Sequence, residues 1–312
     1  MDVAAQVLDR NPRAASRLLS WIEDGDPRAA AEMKTLYRRA KAAYVVGVTG
    51  PPGAGKSTLV DRLVALRRGR GAVVGVLAVD PSSPFSGGAV LGDRVRMQRH
   101  AADPGVFIRS MANRGRTGGL SRGAAEAVRV LEAWGCEIVF VETVGVGQSE
   151  IEVSRLACTT ILVCAPGAGD RIQAIKAGVT EIADIVVLNK GDRPEAAHAA
   201  SALEMMLSLR PGEDWTVPLV QTVALEGRGL EALDAALDAH RRFAEGRGIA
   251  AAKRRAQFKE RLLELVRERL MRRVAARVPD EEALDALAAR MLAGETDPYT
   301  LAERIAGEDA AR

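Results

Sequence analysis

The sequence predicts an α/β protein with a doubly wound, mostly parallel sheet, preceded by short helices and followed by a helical arm. Three observations lead there. Short apolar runs bounded by Gly, Pro, Asp or Asn fall at residues 44–49, 73–79, 106–108, 138–141, 160–164, 185–188 and 217–221. Strands covered on both faces read in this continuous apolar way. Helical stretches separate the runs, and alternation of this kind builds a parallel sheet wrapped by helices. Composition agrees: 47% of residues are hydrophobic but only 4% aromatic, so Ala, Val, Leu and Ile must form the core.

Taken in order, the first elements are two short helices. Asn11-Pro12 and Asp26-Pro27 each place an N-cap side chain before a proline at the first helical position, where a missing N–H costs nothing. Asp297-Pro298 repeats that signal near the other end. Past about residue 249 the strand signals stop. Phe258, Leu262, Val266, Leu270, Val274 and Val278 recur every fourth residue, which predicts one long helix with an apolar stripe, ended by Pro279. Two shorter helices follow it. The expected organisation is an N-terminal helical segment at residues 1–42, a nucleotide-binding domain at 43–246 and a C-terminal helical extension at 247–312.

The bulk numbers exclude several classes. A net charge of +3, from 44 basic and 41 acidic residues, is too small to imply nucleic acid. Residues 247–277 hold eleven Lys and Arg, yet with Phe258 as the one stacking aromatic they read as solvated helix faces, some at Glu/Arg i,i+4 spacing. Cys136, Cys158 and Cys164 show no C-x-x-C spacing and read as buried reduced thiols. The N-terminus lacks a basic start followed by an apolar stretch, and no apolar run is long enough to span a bilayer. A soluble, cytoplasmic protein without membrane or nucleic-acid partners is expected.

Gly50-Pro51-Pro52-Gly53-Ala54-Gly55-Lys56-Ser57 fits G-x-x-x-x-G-K-[ST], with a strand running into it and a helix from Thr58 running out. Glycines let the backbone wrap a phosphate, turning N–H groups inward at the positive end of a helix. Lys56 then places a charge on the β- and γ-phosphates, and Ser57 offers its hydroxyl to Mg²⁺. Asp80 and Glu142 close two strands at the edge where a doubly wound sheet binds its ligand. Glu142 reads as the metal-side acid, with Gly145 placed to sense a γ-phosphate. Asp93 lies in a loop rich in Gly, Ser and Arg, where a metal role and a solvated-loop role are both open. Gln148 could orient water, although its spacing after Gly145 leaves that role open too.

The run at residues 185–188 leads into Asn189-Lys190-Gly191-Asp192, an N-K-x-D. A carboxylate there accepts hydrogen bonds from the ring N–H and exocyclic amine of guanine, a pair that adenine lacks. A site built for those donors rejects the analogue without them. At a strand end downstream of the phosphate loop, the motif predicts guanine. The reading is of a P-loop GTPase.

Longer stretches carry a further likeness. They are Val79-Asp80-Pro81-Ser82-Ser83-Pro84, Leu91-Gly92-Asp93-Arg94, Arg109-Ser110-Met111, the run from Glu142 to Glu150, and Pro166-Gly167-Ala168-Gly169-Asp170. Together they resemble the MeaB/ArgK family, P-loop GTPases of the SIMIBI class that include the methylmalonic aciduria type A protein. The resemblance implies a chaperone of an adenosylcobalamin-dependent acyl-CoA mutase, usually methylmalonyl-CoA mutase, that uses GTP to gate cofactor loading and to protect the enzyme. It implies a homodimer with the C-terminal arm in the subunit contact. It places Mg²⁺ among Ser57, Asp80, Asp93 and Glu142, and the phosphates on Gly50, Gly53, Ala54, Gly55, Lys56, Ser57 and Thr58. Asn189, Lys190 and Asp192 then read guanine with help from Thr222-Val223-Ala224. Asp170, Arg171, Gln173 and Lys176 fall in a loop that resembles the switch answering to the mutase.

The chain departs from the family at three places: Val223 where serine is usual, Arg171-Ile172 where Glu-Leu is usual, and Arg116-Thr117 before Gly118-Gly119. With changes in a partner-facing loop, isobutyryl-CoA and 2-hydroxyisobutyryl-CoA mutase stand as alternative partners. A transport-linked kinase finds no phosphoacceptor signal here. A metal-insertion GTPase would carry imidazole or thiolate clusters, whereas His100, His198 and His240 are far apart in sequence. A nucleotide-sensing adaptor without useful turnover is the remaining alternative, because no catalytic base is evident.

Overall fold

The computed structural model describes residues 2–81, 97–100, 102–113, 119–143, 149–167, 182–210, 214–275 and 280–307. Among them the chain divides into two compact units, one running to Lys253 and one starting at Arg254.

Three helices open the first unit: α1 (Val3–Leu8), α2 (Pro12–Asp24) and α3 (Pro27–Arg39). Asn11 Oδ1 accepts from the Arg13 and Ala14 N–H groups at 3.0 and 3.1 Å, and Asp26 Oδ1 from Arg28 N at 2.9 Å. The extra helix, α1, begins where Asp2 Oδ1 accepts from Ala5 N. It lacks the proline that marks its two successors, which is why the sequence points to two helices here and the structure has three.

Seven strands follow among the described residues: β1 (Tyr44–Thr49), β2 (Val74–Pro81), β3 (Val106–Asn113), β4 (Ile138–Thr143), β5 (Thr159–Cys164), β6 (Ile185–Asn189) and β7 (Leu219–Thr222). All pair in parallel, in the order β3-β2-β4-β1-β5-β6-β7. Each of the seven expected runs is a strand, and "mostly parallel" becomes wholly parallel. The largest extension is β3, which runs five residues past its apolar start at 106–108 because Arg109 to Asn113 stay in register with β2. Polar side chains there interrupt the apolar signal without interrupting the ladder. Arg109, for one, reaches out to Glu23 and Ser20 on α2.

Helices cover both faces. Along β1, Val46 and Val48 face α4 (Lys56–Gly69) and α8 (Leu230–Gly246). Val45 faces the layer of α5 (Gly119–Trp134) and α6 (Ser149–Leu156), with α1–α3 packed behind it. Leu162, Cys164, Val186 and Leu188 turn to α7 (Ala196–Ser208) on that second face. This strict alternation, with all six β1 residues buried, is the physical content of a sheet covered on both sides. Burial pushes the Cys136 and Cys164 thiols up to about 12, while Cys158 is half-buried.

The second unit holds most of α9 (Ile249–Ala275), then α10 (Glu281–Leu292) and α11 (Pro298–Ala306). Asp280 and Asp297 cap the last two, Asp297 before Pro298 as expected. On α9, Phe258, Leu262, Val266 and Leu270 are all exposed, between 42 and 62%. These first four positions of the predicted stripe are thus exposed on one helix, whereas Val274 is half-buried and Val278 lies outside the described residues. Pro279, the expected stop, lies outside the described residues.

Candidate nucleotide-binding site

The sheet order puts β1 between β4 and β5, so the segment leaving β1 emerges between the ends of those strands, where such sheets bind ligands. Gly50-to-Gly55 forms that segment and α4 starts directly after it at Lys56. Glycine is required at two points. Gly50 has φ +137°, and a Cβ there would lie 2.1 Å from the Val163 carbonyl oxygen on β5. Gly55 has φ +93°, and its Cβ would lie 2.3 Å from Asn189 Nδ2. Both angles belong to the left-handed side, which side chains disfavour. At these two positions the loop lies against Val163 of β5 and Asn189 of β6 with no room for a methyl group.

Lys56 is buried, and its Nζ donates to the carbonyls of Gly50 at 2.8 Å and Pro51 at 3.2 Å. The ammonium is therefore held over the loop that would wrap the phosphates. Ser57 Oγ donates to Glu142 Oε1 at 2.6 Å, and both residues are buried. One is on the first turn of α4 and the other at the end of β4, and the contact joins positions 85 apart in sequence. Beside them Thr143 Oγ1 donates to Thr49 Oγ1 at 3.2 Å, a pairing of β4 with β1 that the motifs did not predict.

These groups fit a magnesium ion. A hydroxyl and a carboxylate oxygen meet at the start of the phosphate helix, and hard cations take oxygen donors. No group of three or more His, Cys, Asp or Glu that could hold a metal occurs among the described residues. A small protein ligand set is what Mg²⁺ uses when substrate phosphates and water complete its shell. Asp80 pairs in the β2–β3 ladder opposite Ala112, one residue before the strand ends. Asp93, Gly145 and Gln148 lie outside the described residues, as do Asp170, Arg171, Gln173 and Lys176.

The base motif is tied to the phosphate loop by its own side chains. Asn189 Nδ2 donates to the Ala54 carbonyl at 2.9 Å, and Lys190 Nζ to that of Gly53 at 2.7 Å. Asn189 Oδ1 accepts from Thr222 Oγ1 at 3.1 Å and from Ala224 N at 3.0 Å. One buried amide therefore fixes the P-loop, β6 and the 222–224 segment in one arrangement. Lys190 has φ +60°, uncommon for a residue with a side chain, and Gly191 N then donates to Thr222 O at 3.0 Å. This turn leaves Asp192 exposed beyond the strand end. Val223 is buried and its backbone bridges Arg228, so the serine-to-valine departure alters a side chain facing inward.

A second polar line runs at the opposite end of the sheet. His240 Nδ1 lies 2.7 Å from Thr159 Oγ1, and His240 Nε2 lies 3.3 Å from Asp184 Oδ1. The order matches a hydroxyl–imidazole–carboxylate triad, but Thr159 is fully buried and its hydroxyl also meets Tyr44 Oη. No substrate reaches it, so the line is structural. His100 meets Asp61, and His198 is exposed on α7. The three histidines sit in three separate environments.

The comparisons agree with this geometry. Residues 15–279 match the family described as methylmalonyl Co-A mutase-associated GTPase MeaB. The chain belongs to the MeaB family. A protein of Pyrococcus horikoshii named as a GTPase is 43% identical over 297 residues, covering 94% of this chain and 93% of that one. The mouse protein named methylmalonic aciduria type A homolog, mitochondrial, is 34% identical over 272 residues, covering 84% of this chain and 64% of its own. Among solved structures, one described as a LAO/AO transport system kinase superposes with a TM-score of 0.70 at 27% identity, covering 98% of this chain and 95% of that one. This MeaB-family chain is a P-loop GTPase, and no helix among its described residues is long and apolar enough to cross a membrane.

Proposed function

We propose that this GTPase gates adenosylcobalamin loading into an adenosylcobalamin-dependent acyl-CoA mutase and protects that enzyme, with methylmalonyl-CoA mutase as the first candidate. Isobutyryl-CoA and 2-hydroxyisobutyryl-CoA mutase are the alternative partners. The observation that carries the nucleotide half is Asn189, which locks the guanine motif onto the phosphate loop through Ala54. The partner half is supported by the printed description of the matching family and by the mouse relative.

Within this reading Lys56 neutralises charge on the β- and γ-phosphates, and N–H groups of the loop around Gly53, Ala54, Gly55 and Thr58 cradle them. Ser57 and Glu142 would hold Mg²⁺ with Asp80, and the ion supplies neutralisation of charge on the transferred phosphoryl group. Glu142 holds the Ser57 hydroxyl at 2.6 Å, so both oxygens are already placed together. Asp192 accepts from guanine, and the buried Asn189 sets the distance between base and phosphate sites. Exposed apolar residues of α9 suit a subunit contact in a homodimer.

Base exchange tests the nucleotide half. Asp192→Asn should weaken GTP binding and favour xanthosine triphosphate, since an amide donates to the xanthine 2-carbonyl where a carboxylate accepts from guanine. An Asp192→Asn protein that binds GTP as tightly as the parent sinks the guanine assignment.

A further inference from the structure

Thr222 ends β7, and Ala224 reaches the base side of the site from the turn that follows it, so something must hold that turn in place. Part of the hold is local. Val223 N donates to Arg228 O at 3.0 Å, Glu226 N to Val223 O at 3.0 Å, and Arg228 Nε to Glu226 Oε2 at 2.7 Å. These bonds shape the turn but do not position it against the rest of the protein. Nor does packing at its tip, because the Leu225 side chain is 74% exposed.

Beyond Thr222, and beside the burial of Val223 and Ala224, two polar contacts tie the turn to the site. One is Ala224 N to Asn189 Oδ1, from the end of β6. The other comes from the phosphate helix: Arg62 Nη2 donates to the Leu225 carbonyl at 2.7 Å, across 163 positions of sequence. Arg62 stands on α4 less than two turns beyond Lys56 and Ser57, so the helix that begins at the phosphates reaches up to the base turn. Further along, α4 is fastened to α8, which starts directly after this turn at Leu230. Arg67 meets Asp234 at 2.5 Å and Asp238 at 2.8 Å, and Arg70 also meets Asp234. With the far end of α4 fixed in that way, the Arg62 guanidinium is a strut of set length. A charged donor on a carbonyl is one of the stronger single hydrogen bonds.

We propose that Arg62 is a positioning residue for base recognition, holding the Ala224 turn at the height from which it closes on the guanine ring. This rests on the guanine reading of the site. Arg62 belongs to neither the phosphate loop nor the base motif, and it acts through the Leu225 carbonyl. Its removal frees the tip of the turn while leaving the phosphate loop, Lys56 and the Ser57–Glu142 contact in place.

The test compares parent, Arg62→Ala, Arg62→Lys and Arg62→Gln for GTP and ATP binding, kcat at saturating GTP and thermal midpoint. The expectation is that Arg62→Ala raises KM and Kd for GTP about tenfold, the loss of one charge-assisted hydrogen bond. ATP binding and kcat should hardly move, so the preference for GTP over ATP narrows by the same factor. Arg62→Lys, which keeps a cationic donor, should recover most of the preference. If Arg62→Ala does not fold, Arg62→Gln, which keeps the stem but loses the charge and reach, must show the same narrowing. Equal weakening of GTP and ATP, or an unchanged GTP preference, overturns the proposal and leaves Arg62 a structural residue. A parent that does not prefer GTP over ATP overturns it differently, by removing the guanine reading itself.

Discussion

Asp103, at the turn before β3, offers a test at the scale of one residue. Arg68 Nε and Nη2 donate to its carboxylate at 2.9 and 2.8 Å, and Gly105 N donates to it at 2.8 Å. The Arg68 guanidinium foremost, then the Gly105 N–H, holds this carboxyl below the usual carboxylate range. A carboxyl with a depressed folded-state pKa stabilises the fold fully above its ordinary value of 3.8, and that stabilisation is lost as pH falls through the lowered value. Asp103→Asn should therefore lower the thermal midpoint slightly at pH 7 and remove part of the acid limb. An acid limb identical to the parent's would show the pair contributes nothing. At this scale the site was partly legible. Lys56, Ser57, Glu142 and Asn189 declare themselves because phosphate and guanine chemistry demand those groups at fixed spacings. Thr49, Arg62 and the second role of Asn189 do not, since each is defined by a partner 94, 163 or 135 positions away.

At the scale of elements, every strand announced itself by an apolar run, most plainly β1, β4, β5 and β6, in which every residue is buried. The ends were less plain where polar side chains continue the ladder, as Arg109 does in β3. The α1 helix escaped notice because a single Asp2 cap marks it. The stripe on α9 was legible and has a consequence for assembly. Leu262 and Leu270 are 62 and 54% exposed, and an apolar surface of that length invites a second copy of the chain. Leu262→Glu with Leu270→Glu should shift the sedimenting species from dimer to monomer without changing the thermal midpoint of the nucleotide domain. A parent that sediments as a monomer at micromolar concentration would contradict this use of the stripe.

For the whole molecule, the sheet order brings the parts of the nucleotide site together. The phosphate loop, β4 and β6 meet in one place, and Ser57–Glu142 and Asn189–Ala54 join three separate elements there. Under the proposed function, a change at the γ-phosphate should reach the segments that follow β4 and β5 in sequence, which carry Gln148 and the Asp170–Lys176 stretch. A loop with two states needs only a few kcal/mol between them to be biased by a partner's contacts. The account predicts that partner and nucleotide are coupled. The most direct measurement is steady-state phosphate release from GTP by the full chain, alone and with methylmalonyl-CoA mutase or either alternative mutase. Slow release alone and several-fold faster release with one cognate mutase is the predicted result. The same rate with every mutase, at concentrations where a complex is seen to form, would contradict it.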